Sequence, residues 1–225
     1  MAPPAPPPAC PLCAAPGAHV LHQSARRRWW LCGGPCGLVY VDPAQRPDAA
    51  AERAQYDLHR NDPADAGYVR FLGRLVEPLL AALGPAPRQG LDFGCGPGPT
   101  LSGLLAAAGH AVADYDPIYR PDVALLARRY DFVTATEVVE HFHEPAREFA
   151  RLRGLLRPGG LLALMTKRRA QPERFAGWHY KNDPTHVSFY HPDTLGWIAA
   201  GWGATLTLPA PDVALLRLPD SPPAD

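Results

Sequence analysis

From residue 90 to residue 166 the chain alternates short apolar runs with helix-like stretches, and this alternation limits its fold more than any other feature. "GLDFGC", "HAVADYD", "YDFVTATEV" and "LLALMT" read as strands, whereas "PTLSGLLAAAG" and "EPAREFARLRGLLRPGG" read as helices. The alternation predicts an α/β fold whose mostly parallel sheet is covered on both faces, with ligands beyond the carboxyl ends of its strands. Upstream, Tyr68, Phe71, Leu72, Leu75, Leu79 and Leu80 recur at helical intervals, so the segment from about Ala50 to Leu83 is predicted to be helical. Downstream, "HPDTLGWIAAG" reads as a helix N-capped by Asp193, and "ATLTLPAPDVALLRLP" as a C-terminal antiparallel hairpin closing the sheet.

A chain of 225 residues fits one main domain plus a small appendage. Lys plus Arg and Asp plus Glu both total 22, which excludes a net field toward nucleic acid or an anionic membrane. No apolar run is long enough for a membrane span, and "MAPPAPPPA" lacks the features of a secretory signal, so a cytoplasmic location is expected. Composition divides the chain into a disordered tail (1–9), a cysteine-bearing module (10–41), a main domain (50–218) and a second loose tail (219–225), with "DPAQRPDAA" as a linker.

Cys10 and Cys13 form one close pair and Cys32 and Cys36 another, with eighteen residues between the pairs. Two such knuckles match a small zinc ribbon that holds one structural zinc ion on four thiolates. A module with so little core needs the metal to fold. Beside it, Arg26 to Arg28 with Trp29 and Trp30 have two readings. The stretch is either an RNA-contacting surface or a ribbon core with arginines on its outer strand, and the zero net charge favours the second.

The turn after the first strand of the main domain reads Asp92-x-Gly94-x-Gly96-x-Gly98. A dinucleotide fingerprint needs glycine three residues after Gly96, where Pro99 stands. A carboxylate beside such a turn repels a pyrophosphate and suits an ammonium group. Asp116 closes the next strand, eighteen residues after Gly98, where a carboxylate can accept from ribose hydroxyls; Asp114 is its competitor. "YDFVTATEVVEHF" then carries Thr136, Glu137 and His141 from strand tip to helix, and "LLRPGGLLALMT" follows.

In this order the pieces resemble the motifs of class I S-adenosylmethionine-dependent methyltransferases, over roughly residues 65–218. The resemblance implies a Rossmann-like sheet and S-adenosylmethionine as cofactor, with Asp92, Gly94, Gly96, Gly98, Asp116, Thr136 and Glu137 around it. Only fourteen residues, Pro117 to Tyr130, stand where that family usually has a helix, a strand and an adenine-binding loop, so the sheet is expected to be trimmed there. Asp122 is a weak candidate for the adenine-contacting acid.

Residues 175–195 are dense in aromatic and titratable side chains. Trp178, His179, Tyr180, Asp183 and Tyr190 are the expected acceptor contacts, and "DPTH" is similar to a loop of the family's small-molecule members. His186 is the first candidate base because a free imidazole titrates near neutrality, with Asp183 to orient it and His141 as the second candidate. Alternatively His186 and Asp183 only bond loop backbone. Cys95 reads as a packing residue. A small-molecule acceptor leads. RNA is the alternative, since the layout resembles both sugar C-methyltransferases and ribosomal RNA guanine methyltransferases, and a non-catalytic cofactor-binding protein is the third reading.

Overall fold

The computed structural model describes residues 6–58, 61–169 and 171–221, and the expected loose ends at 1–5 and 222–225 lie outside them. Residues on the inner side of both tails are tied to the fold. The Tyr40 hydroxyl donates to the Pro8 carbonyl at 2.7 Å, and the Gly159 N–H donates to the Pro219 carbonyl at 2.8 Å.

An antiparallel trio comes first: β1 (His19–Gln23), β2 (Arg28–Leu31) and β3 (Val39–Val41). α1 (Ala49–Tyr56) and α2 (Ala66–Leu83) follow. The single helical segment expected here is thus broken between residues 57 and 65, where Asn61 has φ +43° and Pro63 withholds a backbone donor. The Asp65 carboxylate restarts the helix by accepting from the N–H groups of Gly67 and Tyr68, and Gly84 ends it at φ +71°. Leu72, Leu75, Leu79 and Leu83, spaced three and four apart, are its buried stripe.

The main sheet has the order β5-β4-β6-β7-β10-β9. Its parallel strands are β4 (Gln89–Phe93), β5 (Ala111–Tyr115), β6 (Tyr130–Thr136) and β7 (Leu156–Met165), connected through α3 (Thr100–Ala107) and α4 (Pro145–Gly154). After α5 (Pro192–Trp202), β9 (Thr205–Ala210) and β10 (Val213–Arg217) add the antiparallel hairpin against β7. "RPGG" lies inside β7, with an irregularity in the β6 register, rather than ahead of the strand. His191, not Asp193, caps α5: its ring accepts from the Asp193 N–H while Thr194 bonds back to the His191 N–H.

β5 is the sheet edge, so the expected trimming is present. Residues 117–129 hold one bridge, Asp116 to Arg120, and a 3-10 turn at Val123–Ala127 capped by Asp122. The Asp122 carboxylate accepts from the Ala124 N–H in that turn and does not line the cavity described below.

The N-terminal trio is completed from the other end of the chain. β8 (Ser188–Phe189) pairs antiparallel with β3, so the four-stranded sheet runs β1-β2-β3-β8. Cys10, Cys32, Cys36, Leu38 and Tyr40 share one continuous core with Phe149, Tyr190 and Trp202.

Candidate active site

A cavity of about 1070 Å³ opens at the carboxyl ends of β4, β5 and β6, under a cover formed by α1, Asn61 and the start of α2. Its cofactor end is built on the glycine turn. Gly94 takes φ +79° where a side chain would run into Val138. At Gly98 an added Cβ would collide with the Asn61 carbonyl, so this glycine is required by the protein's own cover and does not line the cavity. The Thr100 hydroxyl donates to that same carbonyl at 2.9 Å.

Asp116 lines the cavity and Asp114 does not. The Asp116 carboxylate accepts from the N–H groups of Gly96 (3.1 Å), Ile118 (2.8 Å) and Tyr119 (3.0 Å), so it shapes the turn before any ligand arrives. Asp92 departs from expectation. It is buried beneath the turn, accepts from the Thr134 hydroxyl at 2.7 Å, and burial pushes it up to about 7. It does not line the cavity and supports the loop from below. Cys95 is buried as a packing residue.

At the opposite end Glu137, His141 and His186 line the cavity, and Glu140 is buried behind them. Glu137 sits at the tip of β6 with φ +52°, a strained position for a non-glycine residue, fixed by its N–H bond to the Met165 carbonyl at 2.7 Å. Its Oε2 accepts from the Tyr180 hydroxyl at 3.0 Å, and the same hydroxyl contacts Oε1 of Glu140. One hydroxyl proton serves one carboxylate at a time. Glu137 Oε1 and Glu140 Oε2 are buried with no hydrogen-bond partner among the described residues. Burial, first of all causes, raises Glu137 to about 8 and Glu140 to about 7.

His141 and His186 stand 4.9 Å apart, ring centre to ring centre. His141 Nδ1 lies 3.1 Å from the Thr185 carbonyl and His186 Nδ1 lies 2.8 Å from the Tyr180 carbonyl. A carbonyl only accepts, so both Nδ1 atoms carry the proton and both Nε2 atoms are free to accept or ligate. Burial lowers both imidazoles, His186 to about 4. This corrects the reason for choosing His186: it is neutral but a weak base at pH 7. Asp183 does not orient it through a hydrogen bond, since its Oδ2 is 3.9 Å from His186 Nε2 and its Oδ1 accepts from the N–H and hydroxyl of Thr185. The Tyr180 carbonyl does the orienting.

His179, Tyr180 and Asp183 line the cavity with Thr136, as expected, whereas Trp178 and Tyr190 do not. Trp178 packs behind Tyr180 against Phe175 and Phe189. Tyr190 is fully buried against Phe149 and donates to the Val139 carbonyl at 2.9 Å, a core role. Glu140 went unnoticed in sequence, although two acids three residues apart at a strand tip were a visible signal. Tyr56, Asn61 and Tyr68, also in the lining, come from the cover, which no local motif announces.

Two groups of donors suit metals. Cys10, Cys13, Cys32 and Cys36 bring all four Sγ atoms within 4.8 Å of one another. Their 3.5 Å closest separations, together with the Gly34 N–H donated to Cys32 Sγ at 3.2 Å, fit tetrahedral thiolates about 2.3 Å from a zinc ion. Glu140, His141 and His186 form the second group within the same 4.8 Å limit.

A parallel sheet with a reversed C-terminal hairpin and a glycine turn facing a strand-end carboxylate defines a class I methyltransferase fold. Residues 65–208 match the methyltransferase domain family, and the chain belongs to it as an S-adenosylmethionine-dependent methyltransferase. Similar curated proteins include a ubiquinone biosynthesis O-methyltransferase of Methylobacterium sp., 34% identical over 178 residues covering 61% of this chain and 69% of that one. The protein of the same description from Cereibacter sphaeroides is 30% identical over 172 residues, covering 60% and 68%. Among solved structures, magnesium protoporphyrin IX methyltransferase of Synechocystis PCC 6803 with bound SAH shares the fold at a TM-score of 0.51 and 17% identity, covering 76% of this chain and 94% of that one. No helix among the described residues is long and apolar enough to cross a membrane.

Proposed function

We propose that this methyltransferase modifies a hydroxyl oxygen of a compact small molecule seated against Glu137, His141 and His186. The observation that carries the reading is the set of one half-buried carboxylate, Glu137, and two neutral imidazoles lining one end of a cavity whose other end is the glycine turn, with the buried Glu140 behind them on the same tyrosine hydroxyl. The ubiquinone-pathway O-methyltransferases among its relatives support an oxygen acceptor.

When bound, S-adenosylmethionine supplies the electrophilic methyl group. Gly94, Gly96, Asp116 and Thr136 would hold it. Glu137, raised to about 8, is mostly protonated at pH 7, and its ionised form, which grows as pH rises toward 8, would take a proton from an acceptor hydroxyl. His141 and His186 present their free Nε2 atoms as acceptors that fix the acceptor's orientation. Four thiolates of the N-terminal module would hold a structural zinc ion.

A second reading, a divalent cation on Glu140, His141 and His186, is favoured by the two orphaned carboxylate oxygens and by imidazoles that donate Nδ1–H to backbone carbonyls, as metal-ligating histidines do. Such an ion would offset the carboxylates and favour ionisation of an acceptor hydroxyl.

RNA is the weaker acceptor class because arginines of both basic stretches are held by the protein itself. Arg27 bonds loop carbonyls, Arg28 bonds Gln23 and faces Asp42, and Arg168 bonds the Val213 carbonyl. Trp29 and Trp30 are buried. The test is incubation with radiolabelled S-adenosylmethionine against a panel of phenols and catechols and against total RNA, with and without added Mg²⁺. Label in a phenolic product is expected, and salt-sensitive labelling of RNA alone would overturn the reading. Stimulation by Mg²⁺ would favour the cation over proton removal by Glu137 alone.

A further inference from the structure

The cysteine module and the loop that carries His186 are joined more closely than a separate ribbon and catalytic domain would be. The stretch 183–187 precedes a strand of only two residues, so other parts of the chain must hold its backbone. Three of its carbonyls converge on one side chain of the module. Arg27 Nη1 donates to the Asp183 carbonyl at 2.8 Å, and Nη2 donates to those of Pro184 (3.0 Å) and His186 (3.1 Å). β3 continues the grip through the Val41 N–H to the Val187 carbonyl at 2.9 Å and through the pairing of Val39 with Phe189 and Tyr40 with Ser188.

The side chains interlock as well. Trp29, Val39 and Val41 of the module form one buried cluster with Phe175, Tyr180, Val187 and Phe189. Tyr180 in turn places its hydroxyl on Glu137 and Glu140 and its carbonyl on His186. The cofactor end shares an apolar core with the module but no polar contact: the hydrogen bonds of Asp92, Gly94, Gly96 and Asp116 among the described residues all go elsewhere than residues 10–41.

We propose that the four-cysteine module backs the loop that lines the acceptor site without itself reaching the cavity, and that Arg27 is a positioning residue through which it sets the place of His186 and Tyr180. The inference rests on the acceptor site described above but not on the identity of the acceptor. A guanidinium suits the task because its planar fork offers several fixed donors to carbonyls that diverge from one turn. A displacement of about 1 Å at such groups is enough to cost about a hundredfold in rate.

The experiment uses the full-length, zinc-loaded chain and its Arg27→Gln and Arg27→Lys variants, and needs no acceptor. Three quantities are read: amide hydrogen exchange across 183–190 and 89–98, the carbon-bound proton resonances of the His186 ring, and calorimetric affinity for S-adenosylhomocysteine. In Arg27→Gln, exchange in 183–190 should rise at least tenfold and the His186 resonances should move. Exchange in 89–98 and cofactor affinity should stay within twofold. Arg27→Lys, which keeps a donor in reach, should restore part of both signals. Stripping zinc from the wild-type chain should reproduce the Arg27→Gln pattern in 183–190. Unchanged exchange and resonances in Arg27→Gln would overturn the proposal. So would loss of cofactor affinity by the same factor as the loop opens, because the module would then only stabilise the whole fold. Failure of methyl transfer to any phenol leaves these readouts intact and bears only on the acceptor class.

Discussion

Asp92 shows how burial alone can change what a motif residue does. Its carboxyl keeps a proton in the folded chain up to about pH 7, whereas an unfolded aspartate loses it near 3.8. Between those values the folded state binds one proton more than the unfolded state, so stability falls as pH rises, by about 1.4 kcal/mol per pH unit. Asp92→Asn removes the ionisation, and its unfolding free energy in urea should decline less steeply than wild type between pH 4.5 and 7. An equal slope in the two proteins would show that Asp92 is ionised in the fold. Cofactor affinity should survive this change within a few-fold, because Asp92 does not line the cavity, while Asp116→Ala should weaken S-adenosylhomocysteine binding at least tenfold in calorimetry. The spacing of Asp92, the glycines and Asp116 was legible in sequence. That one acid faces the ligand space and the other lies under it was not, because Thr134, on a neighbouring strand, takes the Asp92 oxygen. His186 teaches the same lesson: its position in a "DPTH" loop was readable, but its lowered basicity comes from burial, with the neighbouring His141 adding to it.

Between α1 and α2 the chain leaves the helix to cover the cofactor end, and this is the element that sequence pattern misjudged. Apolar periodicity continues on both sides of the gap, and "NDPAD" interrupts it only where Pro63 and a left-handed Asn61 coincide. Asp65 then has to nucleate α2 again. Asp65→Ala, which frees the N–H groups of Gly67 and Tyr68, should cost about 1 kcal/mol in chemical denaturation. Because the cover is built from this helix start, the loss should also weaken S-adenosylhomocysteine binding by a few-fold; destabilisation with unaltered affinity would mean that the cover does not depend on the cap. The parallel strands and the C-terminal hairpin were recoverable from apolar runs of ordinary length. β8 was not, since two residues carry no periodicity and its partner lies about 150 positions away in the chain.

At the scale of the whole molecule, the boundary drawn by composition and the boundary drawn by packing differ. The family match begins at residue 65, and the cysteine module lies outside it. Yet the module's sheet takes its fourth strand from residues 188–189, and the side chains around its cysteines run without a break into those of α4 and α5. A ribbon with its own core would melt separately. Here, removing the module exposes Phe149, Tyr190 and Trp202 on one side and unpairs β8 on the other, so neither part retains a closed interior. With zinc added to fill the proposed four-thiolate site, calorimetry should therefore show one transition, with calorimetric and van't Hoff enthalpies equal. A chelator should lower that single transition as a whole, because metal bound to the native thiolates alone stabilises everything that unfolds with them. Two resolved transitions, the lower one abolished by chelation and the upper one unmoved, would show instead that the module folds on its own account and that its strand merely rests against the acceptor loop.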